Sequence, residues 1–303
     1  MTTRTLDRRT TDTPRHDAAD THAAEVARGE RFKFGENWRR FLQTMSEERA
    51  DAAVASLRRM LDRESLAGLR FLDIGSGSGL FSLAAHRLGA QVTSFDYDSD
   101  SVGCTNEIRR RYAPGSKDWA ILQGSVLDAE FMASLGQFDV VYSWGVLHHT
   151  GAMWKAIDAA LGRVAPGGWL FIAIYNDQGF WSHRWTRIKR FYCSGLFGRT
   201  VVSATYIPYQ IARGLAADLV WRRNPWKRYS EYGRSRGMSP IRDCFDWLGG
   251  YPFEFAMPEE IILPLSRRGY RLVNLVTQRG TGGCVEYVFR HDPAEANGPV
   301  AAP

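Results

Sequence analysis

The sequence predicts an α/β fold: a mostly parallel sheet of seven strands that closes with an antiparallel hairpin. Three observations point there. Short apolar runs alternate with amphipathic stretches between Leu69 and Tyr175, the pattern of right-handed βαβ crossovers. Those runs are near-continuous rather than alternating, as strands buried on both faces require. After residue 256 one helical pattern is followed by two strand patterns joined by a Gly-rich turn.

In chain order, residues 1–28 are polar and rich in Thr, Asp and Arg, and a disordered tail is expected there and again over 293–303. Residues 29–66 read as two N-terminal helices. The first carries Phe32, Phe34, Trp38 and Phe41 near helical spacing. The second has Val54, Leu57 and Leu61 at three and four, with Thr44–Glu47 as a capping box. The core occupies 67–176 and 257–292. "LRFLDIG" is the first strand, "SLAAHRLG" a helix stopped by Gly89, "QVTSFDYD" the second strand, and a helix follows near Val102–Tyr112. "WAILQGS", "FDVVYSWG" and "WLFIAIY" are strands three to five, separated by helices over Phe131–Leu135 and Met153–Val164. "PEEIILPLSRRG" is a helix with Pro at its start and Gly past its end, and "YRLVNLVTQ" with "CVEYVFR" makes the hairpin around Arg279–Gly283.

Between the two parts of the core, 177–256 shows no βα unit and reads as a helical insertion. It holds five of the ten tryptophans and six of the twelve tyrosines, and carries thirteen Lys and Arg against six Asp and Glu. That local excess of seven positive charges exceeds the whole-chain net of +6, so the remainder is close to neutral. The hydrophobic content of 44% in 303 residues supports a full core. No run of 18 apolar residues and no apolar N-terminal segment occur, so neither a membrane span nor a secretory signal is expected. Cys104, Cys193, Cys244 and Cys284 are far apart, which fits neither a disulfide framework nor a zinc site, and a reducing cytoplasm is the expected compartment.

The stretch "FLDIGSGSGL" places three glycines at alternate positions after the first strand, so a ligand can approach the backbone there. A phosphate loop needs a Lys after its last Gly, and none follows. A dinucleotide fingerprint counted from Gly75 and Gly77 would put the large Leu80 where a small residue is needed. The surroundings decide. Asp73 lies at the strand end, and Asp96, nineteen residues after Gly77, ends the second strand where a carboxylate accepts from both hydroxyls of a ribose. Tyr97 beside it can lie on an adenine face.

"FLDIGSGSG", "VTSFDYDSDSV", "GQFDVVYSWGVLHHT" and "RVAPGGWLFIAIY" resemble successive motifs of the class I S-adenosylmethionine-dependent methyltransferases, over about half the chain. The branch it most resembles includes the ubiquinone-biosynthesis O-methyltransferases. The resemblance implies a Rossmann-like seven-stranded sheet with an antiparallel last strand, and S-adenosyl-L-methionine as cofactor. It implies that the turn Gly75, Ser76, Gly77, Gly79 carries the methionine part and that Asp96 holds the ribose. Ser125 and Val126 should flank the adenine. Many relatives have an acid at the Ser125 position; here Asp128 lies three residues on. Ser143 and Trp144 should close the pocket beside the sulfonium.

Methyl transfer needs alignment and, for hydroxyl acceptors, a base. His148 and His149 follow the fourth strand directly, where strand ends of an open parallel sheet face the ligand crevice. Either is a candidate base, His149 preferred from family position, or one merely packs against the next helix. Some relatives hold a divalent metal with an acid–His pair; His148 replaces the acid, and no metal is expected. Tyr175, with Asn176, ends the fifth strand as a candidate acceptor contact. Phe34 and Trp38 could form a lid over the cofactor or be ordinary packing, and Asp246 or Glu254 could position substrate or be surface acids. The expected partner is a small-molecule acceptor, anionic or aromatic, enclosed by a lid formed from the insertion. The rival readings are an RNA methyltransferase using the basic insertion, a methyltransferase of a lipid-like quinone or prenyl acceptor at a membrane surface, a non-catalytic cofactor-binding protein, and a nicotinamide oxidoreductase. Against RNA, no RNA-binding module or N-P-P-Y-type motif is present.

Overall fold

The computed structural model describes residues 21, 24–29, 35–221, 224, 240–277 and 283–295. Two N-terminal helices, α1 (Gly35–Phe41) and α2 (Glu47–Leu61), lead into β1 (Arg70–Ile74), α3 (Leu80–Arg87), β2 (Gln91–Asp96) and α4 (Ser99–Tyr112). Then come β3 (Trp119–Gln123), α5 (Ala129–Ser134), β4 (Phe138–Trp144), α6 (Met153–Leu161) and β5 (Val164–Tyr175). The insertion supplies α7 (Phe180–Cys193), α8 (Leu196–Val220) and α9 (Pro240–Gly249), and α10 (Pro258–Arg267), β6 (Tyr270–Val276) and β7 (Cys284–His291) complete the core.

One seven-stranded sheet runs β3-β2-β1-β4-β5-β7-β6. β1 to β5 pair in parallel, and β7 is antiparallel to both β5 and β6. Apolar residues leave both faces of each strand. Phe71, Val92 and Val140 pack with Leu57, Leu83 and Ile108 of the helices on one side. Leu72, Val141 and Ile172 pack with Ile157, Ile261 and Leu265 on the other. The order reverses between β1 and β4, and such a switch point opens a crevice at the carboxyl ends of the strands.

Element limits differ from expectation in a few places. Ser46, not Thr44, stands at the N-cap of α2, because its extended backbone breaks the chain there; Thr44 Oγ1 instead donates to Phe41 O at the end of α1. The helix expected to reach Val164 stops at Leu161, and Val164 already pairs in β5. Residues 24–27 are helical, so regular structure begins before the expected end of the N-terminal tail, and Pro293–Glu295 form a 3-10 turn. Phe32, Phe34 and most of both expected tails lie outside the described residues.

The insertion is closed at its base. Asn176 forms a parallel bridge with Ala256, Ala256 N–H donates to Tyr175 O, and Asp177 N–H donates to Ala256 O, the last two at 3.1 Å. Tyr192, Cys193, Val202 and Leu248 form its small core.

Candidate functional site

The glycine turn leaves β1 with Gly75, Gly77 and Gly79 all at positive φ, 75°, 54° and 82°. Space as well as conformation demands glycine. A β-carbon on Gly75 would lie 2.5 Å from the Val146 methyls, and one on Gly77 would lie 2.9 Å from Trp38 Cε2. Trp38 of α1 therefore sits against the turn itself. The helix is held there by Gly35 N–H donating to Asp98 Oδ2 at 2.8 Å and by an Arg39–Asp100 ion pair.

Asp96 joins the turn to β2. Its Oδ2 accepts from Gly77 N–H and its Oδ1 from Asp98 N–H, both at 2.9 Å, and burial raises the carboxyl from 3.8 to about 6. Phe95 O accepts from both Gly75 and Ser76 N–H, at 2.9 and 3.0 Å, and Ser76 Oγ bonds Thr105 Oγ1 at 2.9 Å. Asp73 lies on the α3 side of the sheet, buried, with Ser82 Oγ donating to it at 2.5 Å. Ser82 bonds Ser94 at 2.7 Å, and Trp119 Nε1 donates to Ser94 Oγ at 2.8 Å. Burial, reinforced by the nearby Asp96 charge, raises Asp73 to about 7. This network ties β1, β2, β3 and α3 together behind the turn.

The other expected cofactor residues line the same strand ends. Tyr97 is half-buried, and its carbonyl accepts from Gln123 Nε2 at 3.3 Å. Ser125 Oγ accepts from Leu127 N–H, and Val126 is buried in the core. Asp128 instead caps α5, its Oδ1 accepting from Glu130 and Phe131 N–H at 3.0 Å. Ser143 is buried and donates to Ile74 O at 3.0 Å, pinning β4 to β1. Trp144 stands 45% exposed at the crevice edge, donating to Glu286 Oε1 at 3.1 Å.

The two histidines have different surroundings. His148 is fully buried, its ring 4.2 Å from that of Tyr175, and among the described residues neither ring nitrogen makes a hydrogen bond of normal geometry, the Ala173 backbone being only a weak partner. Burial, then the neighbouring His149 and Lys189, pushes it well below the ordinary imidazole range, so it is neutral. His149 is half-buried, and its Nδ1 bonds Pro252 O at 2.6 Å. A carbonyl only accepts, so Nδ1 carries the proton and Nε2 of the neutral ring keeps its lone pair. Tyr175 is half-buried between His148 and Phe253, and burial pushes its phenol well above the ordinary value.

The segment holding His149 comes from the end of the insertion. Glu254 N–H donates to His148 O at 2.9 Å, and the Glu254 carboxylate accepts from Met153 N–H at 3.0 and 3.2 Å, capping α6. Glu254 is thus a structural cap for the helix after the histidines; the side chain of Asp246 lies outside the described residues. Behind Tyr175, the fully buried Lys189 donates from Nζ to Trp247 O and lies 4.0 and 4.7 Å over the Trp247 and Phe253 rings. Burial lowers its ammonium to about 7. The sequence pattern singles out neither Pro252 nor Lys189: Pro252 lies in the aromatic run "DWLGGYPFEF", and Lys189 has no local signal among the other basic residues of α7. Among the described residues no group of three or more His, Cys, Asp or Glu is gathered as metal ligands require.

Comparison with known proteins bears on this geometry. The profile of a family described as a methyltransferase domain matches residues 36–216. A ubiquinone biosynthesis O-methyltransferase of Sinorhizobium medicae is 35% identical over 115 residues, which are 38% of this chain and 44% of that protein. One from Xanthomonas oryzae pv. oryzae is 32% identical over 155 residues, 50% of this chain and 56% of that one. The match thus spans about half the length of these relatives. The crystal structure of magnesium protoporphyrin IX methyltransferase from Synechocystis PCC 6803 with bound SAH covers 84% of both chains at 14% identity, with a TM-score of 0.47. With the profile matched over more than half its length, from α1 through the sheet's parallel strands and into α8, the chain belongs to the methyltransferase-domain family.

Proposed function

We propose that the enzyme transfers a methyl group to an oxygen atom of a small-molecule acceptor, with His149 as general base. The observation that carries this is the 2.6 Å bond from His149 Nδ1 to Pro252 O, which in the neutral ring puts the basic lone pair on Nε2, just beyond the carboxyl end of β4. Oxygen is the acceptor atom that needs such a group most, because a hydroxyl must lose its proton as the new bond forms. The names of the relatives agree with oxygen.

When bound, S-adenosylmethionine supplies an electrophilic methyl on a sulfonium centre. The residues present fit it. The turn Gly75–Gly79 presents glycine backbone at positive φ, Asp96, which accepts from backbone N–H groups of Gly77 and Asp98, would offer its remaining acceptor capacity to the ribose, and Tyr97, Ser125 and Val126 would flank the adenine end. Asp73 acts behind them, holding the turn through Ser82. Ser143 and Trp144 border the acceptor side. Trp38 covers the methionine end, as a lid contributed by α1. His149 Nε2 receives the acceptor proton, Tyr175 forms a wall beside it, and the insertion encloses the acceptor. His148 serves as neutral, buried backing for His149 and has no direct part in proton transfer.

Transfer of an isotopically labelled methyl from S-adenosylmethionine to a panel of phenols, catechols, carboxylic acids and amines, read by mass spectrometry, tests the reading. Label on oxygen, lost on removal of the His149 base, is expected. Label confined to nitrogen or carbon acceptors would overturn it.

A further inference from the structure

The insertion carries a solvent-facing surface that neither the fold nor the cofactor site explains. α8 is 25 residues long, yet Gly198, Val202 and Asp218 are its buried residues. Phe197, Val201, Ile211, Leu215 and Leu219 recur at intervals of four, ten, four and four, which places them on one face of the helix. All five are exposed, Phe197 at 75% and Leu219 at 81%. α7 adds a second exposed face by the same spacing: Phe180, Arg184, Arg187 and Phe191. The Phe191 and Phe197 rings touch, 6.2 Å between centroids, so the two faces are continuous at the α7–α8 junction. Neither helix exposes a carboxylate: α7 has none, and the single acid of α8, Asp218, is buried.

We propose that this α7–α8 surface docks on an anionic lipid bilayer, with the α8 stripe in the headgroup–acyl boundary and Arg184 and Arg187 on the phosphates. A helix of this kind lies in the interface, held by apolar area and by attraction to anionic lipid. At about 1.5 Å per residue α8 would lie along roughly 37 Å of surface. Among the described residues no helix is long and apolar enough to cross a membrane, so the contact is on the surface. A second copy of the chain fits less well as occupant. It would bring the same arginines and no exposed acid on these helices to answer them. The proposal is independent of which acceptor is methylated.

The test is co-sedimentation of the full-length protein with vesicles of phosphatidylcholine alone or with about one third phosphatidylglycerol, at low and high salt. Wild type should pellet with the anionic vesicles and remain in the supernatant with the neutral ones, with the bound fraction reduced by salt. Arg184→Glu/Arg187→Glu should weaken partition about tenfold or more, given that each basic residue near such a surface contributes roughly fivefold, and, separately, Leu215→Glu/Leu219→Glu should do so by removing apolar area from the boundary and adding negative charge. Both variants should keep wild-type S-adenosylhomocysteine affinity and melting temperature, which separates lost docking from lost folding. Wild type that stays in solution with both vesicle types overturns the proposal. So does a dimer in solution that Leu215→Glu/Leu219→Glu dissociates while vesicle binding is unchanged.

Discussion

Replacing His149 by Asn separates the base from the scaffold. The Asn amide nitrogen stands near the place of Nδ1, so the variant can still donate to Pro252 O, now 2.6 Å from that atom, while nothing replaces Nε2. A general base contributes roughly 10²–10⁴-fold, or about 2.7–5.4 kcal/mol at the usual factor per decade. His149→Asn should therefore lower the single-turnover rate by that factor with melting temperature and S-adenosylhomocysteine affinity unchanged. His149→Ala should lose the same rate and, in addition, leave the Pro252 carbonyl without its partner, a cost of about 1–3 kcal/mol in stability. The assay pairs rapid-quench transfer of labelled methyl with calorimetry for the cofactor product and thermal unfolding. An Asn variant turning over within threefold of wild type would refute the assignment of the base, because no other group would then be missing its function.

Asp96→Asn should weaken S-adenosylhomocysteine binding by about 10- to 100-fold, the loss expected for charge-assisted bonds to ribose. Because burial raises this carboxyl to about 6, wild-type affinity should decline as pH falls through about 6, and the Asn variant should be flat; a flat wild-type profile by calorimetry sinks the idea. Lys189→Met tests the buried amine. Its folded value of about 7 lies below the ordinary 10.5, so between these values the unfolded chain binds the proton that the folded one does not. Stability should rise with pH across that window, by up to about 5 kcal/mol, and the Met variant should lack the slope in urea unfolding. A wild-type slope of opposite sign would count against it. Replacing 180–249 by a flexible linker, with Gly250–Ala256 kept, should leave cofactor affinity intact and abolish transfer. Wild-type turnover without those helices would remove the lid from the mechanism.

The core was legible because its signals are local. Strands such as Phe138–Trp144, buried on both faces, stand out as apolar runs, and the glycine turn and Asp96, both marked by the sequence, are joined by the Gly77 N–H to Asp96 bond. The division of labour between the histidines was not legible. It depends on Pro252 and Glu254, which reach His149 and Met153 across 103 and 101 residues. Nothing in "VLHHT" says which ring faces a carbonyl and which is walled in. The capping box expected for the second helix failed for a similar reason: Thr44–Glu47 has the right letters, but the chain after Phe41 uses Thr44 to close α1. The insertion's aromatic and basic content was evident, whereas the side on which its apolar residues face solvent is decided by what they pack against. Part of its positive charge, over 222–223 and 225–239, lies outside the described residues.

α7 connects the two surfaces of the insertion. On its inner side Lys189 lies over Trp247 and Phe253, the rings that pack on Tyr175. Arg184 and Arg187 lie on its exposed side. A helix is about 10 Å across with its side chains, so a bilayer meeting the outer face lies roughly one helix diameter from the aromatic wall beside His149. The insertion's return segment, through Pro252 and Glu254, also fixes the imidazole tautomer and caps α6. Displacement of α7 and α9 would therefore disturb both the proposed acceptor wall and the proposed base. Docking through the outer face of α7 would constrain the helix that supports that wall, and would so couple where the protein sits to how the proposed acceptor pocket is enclosed.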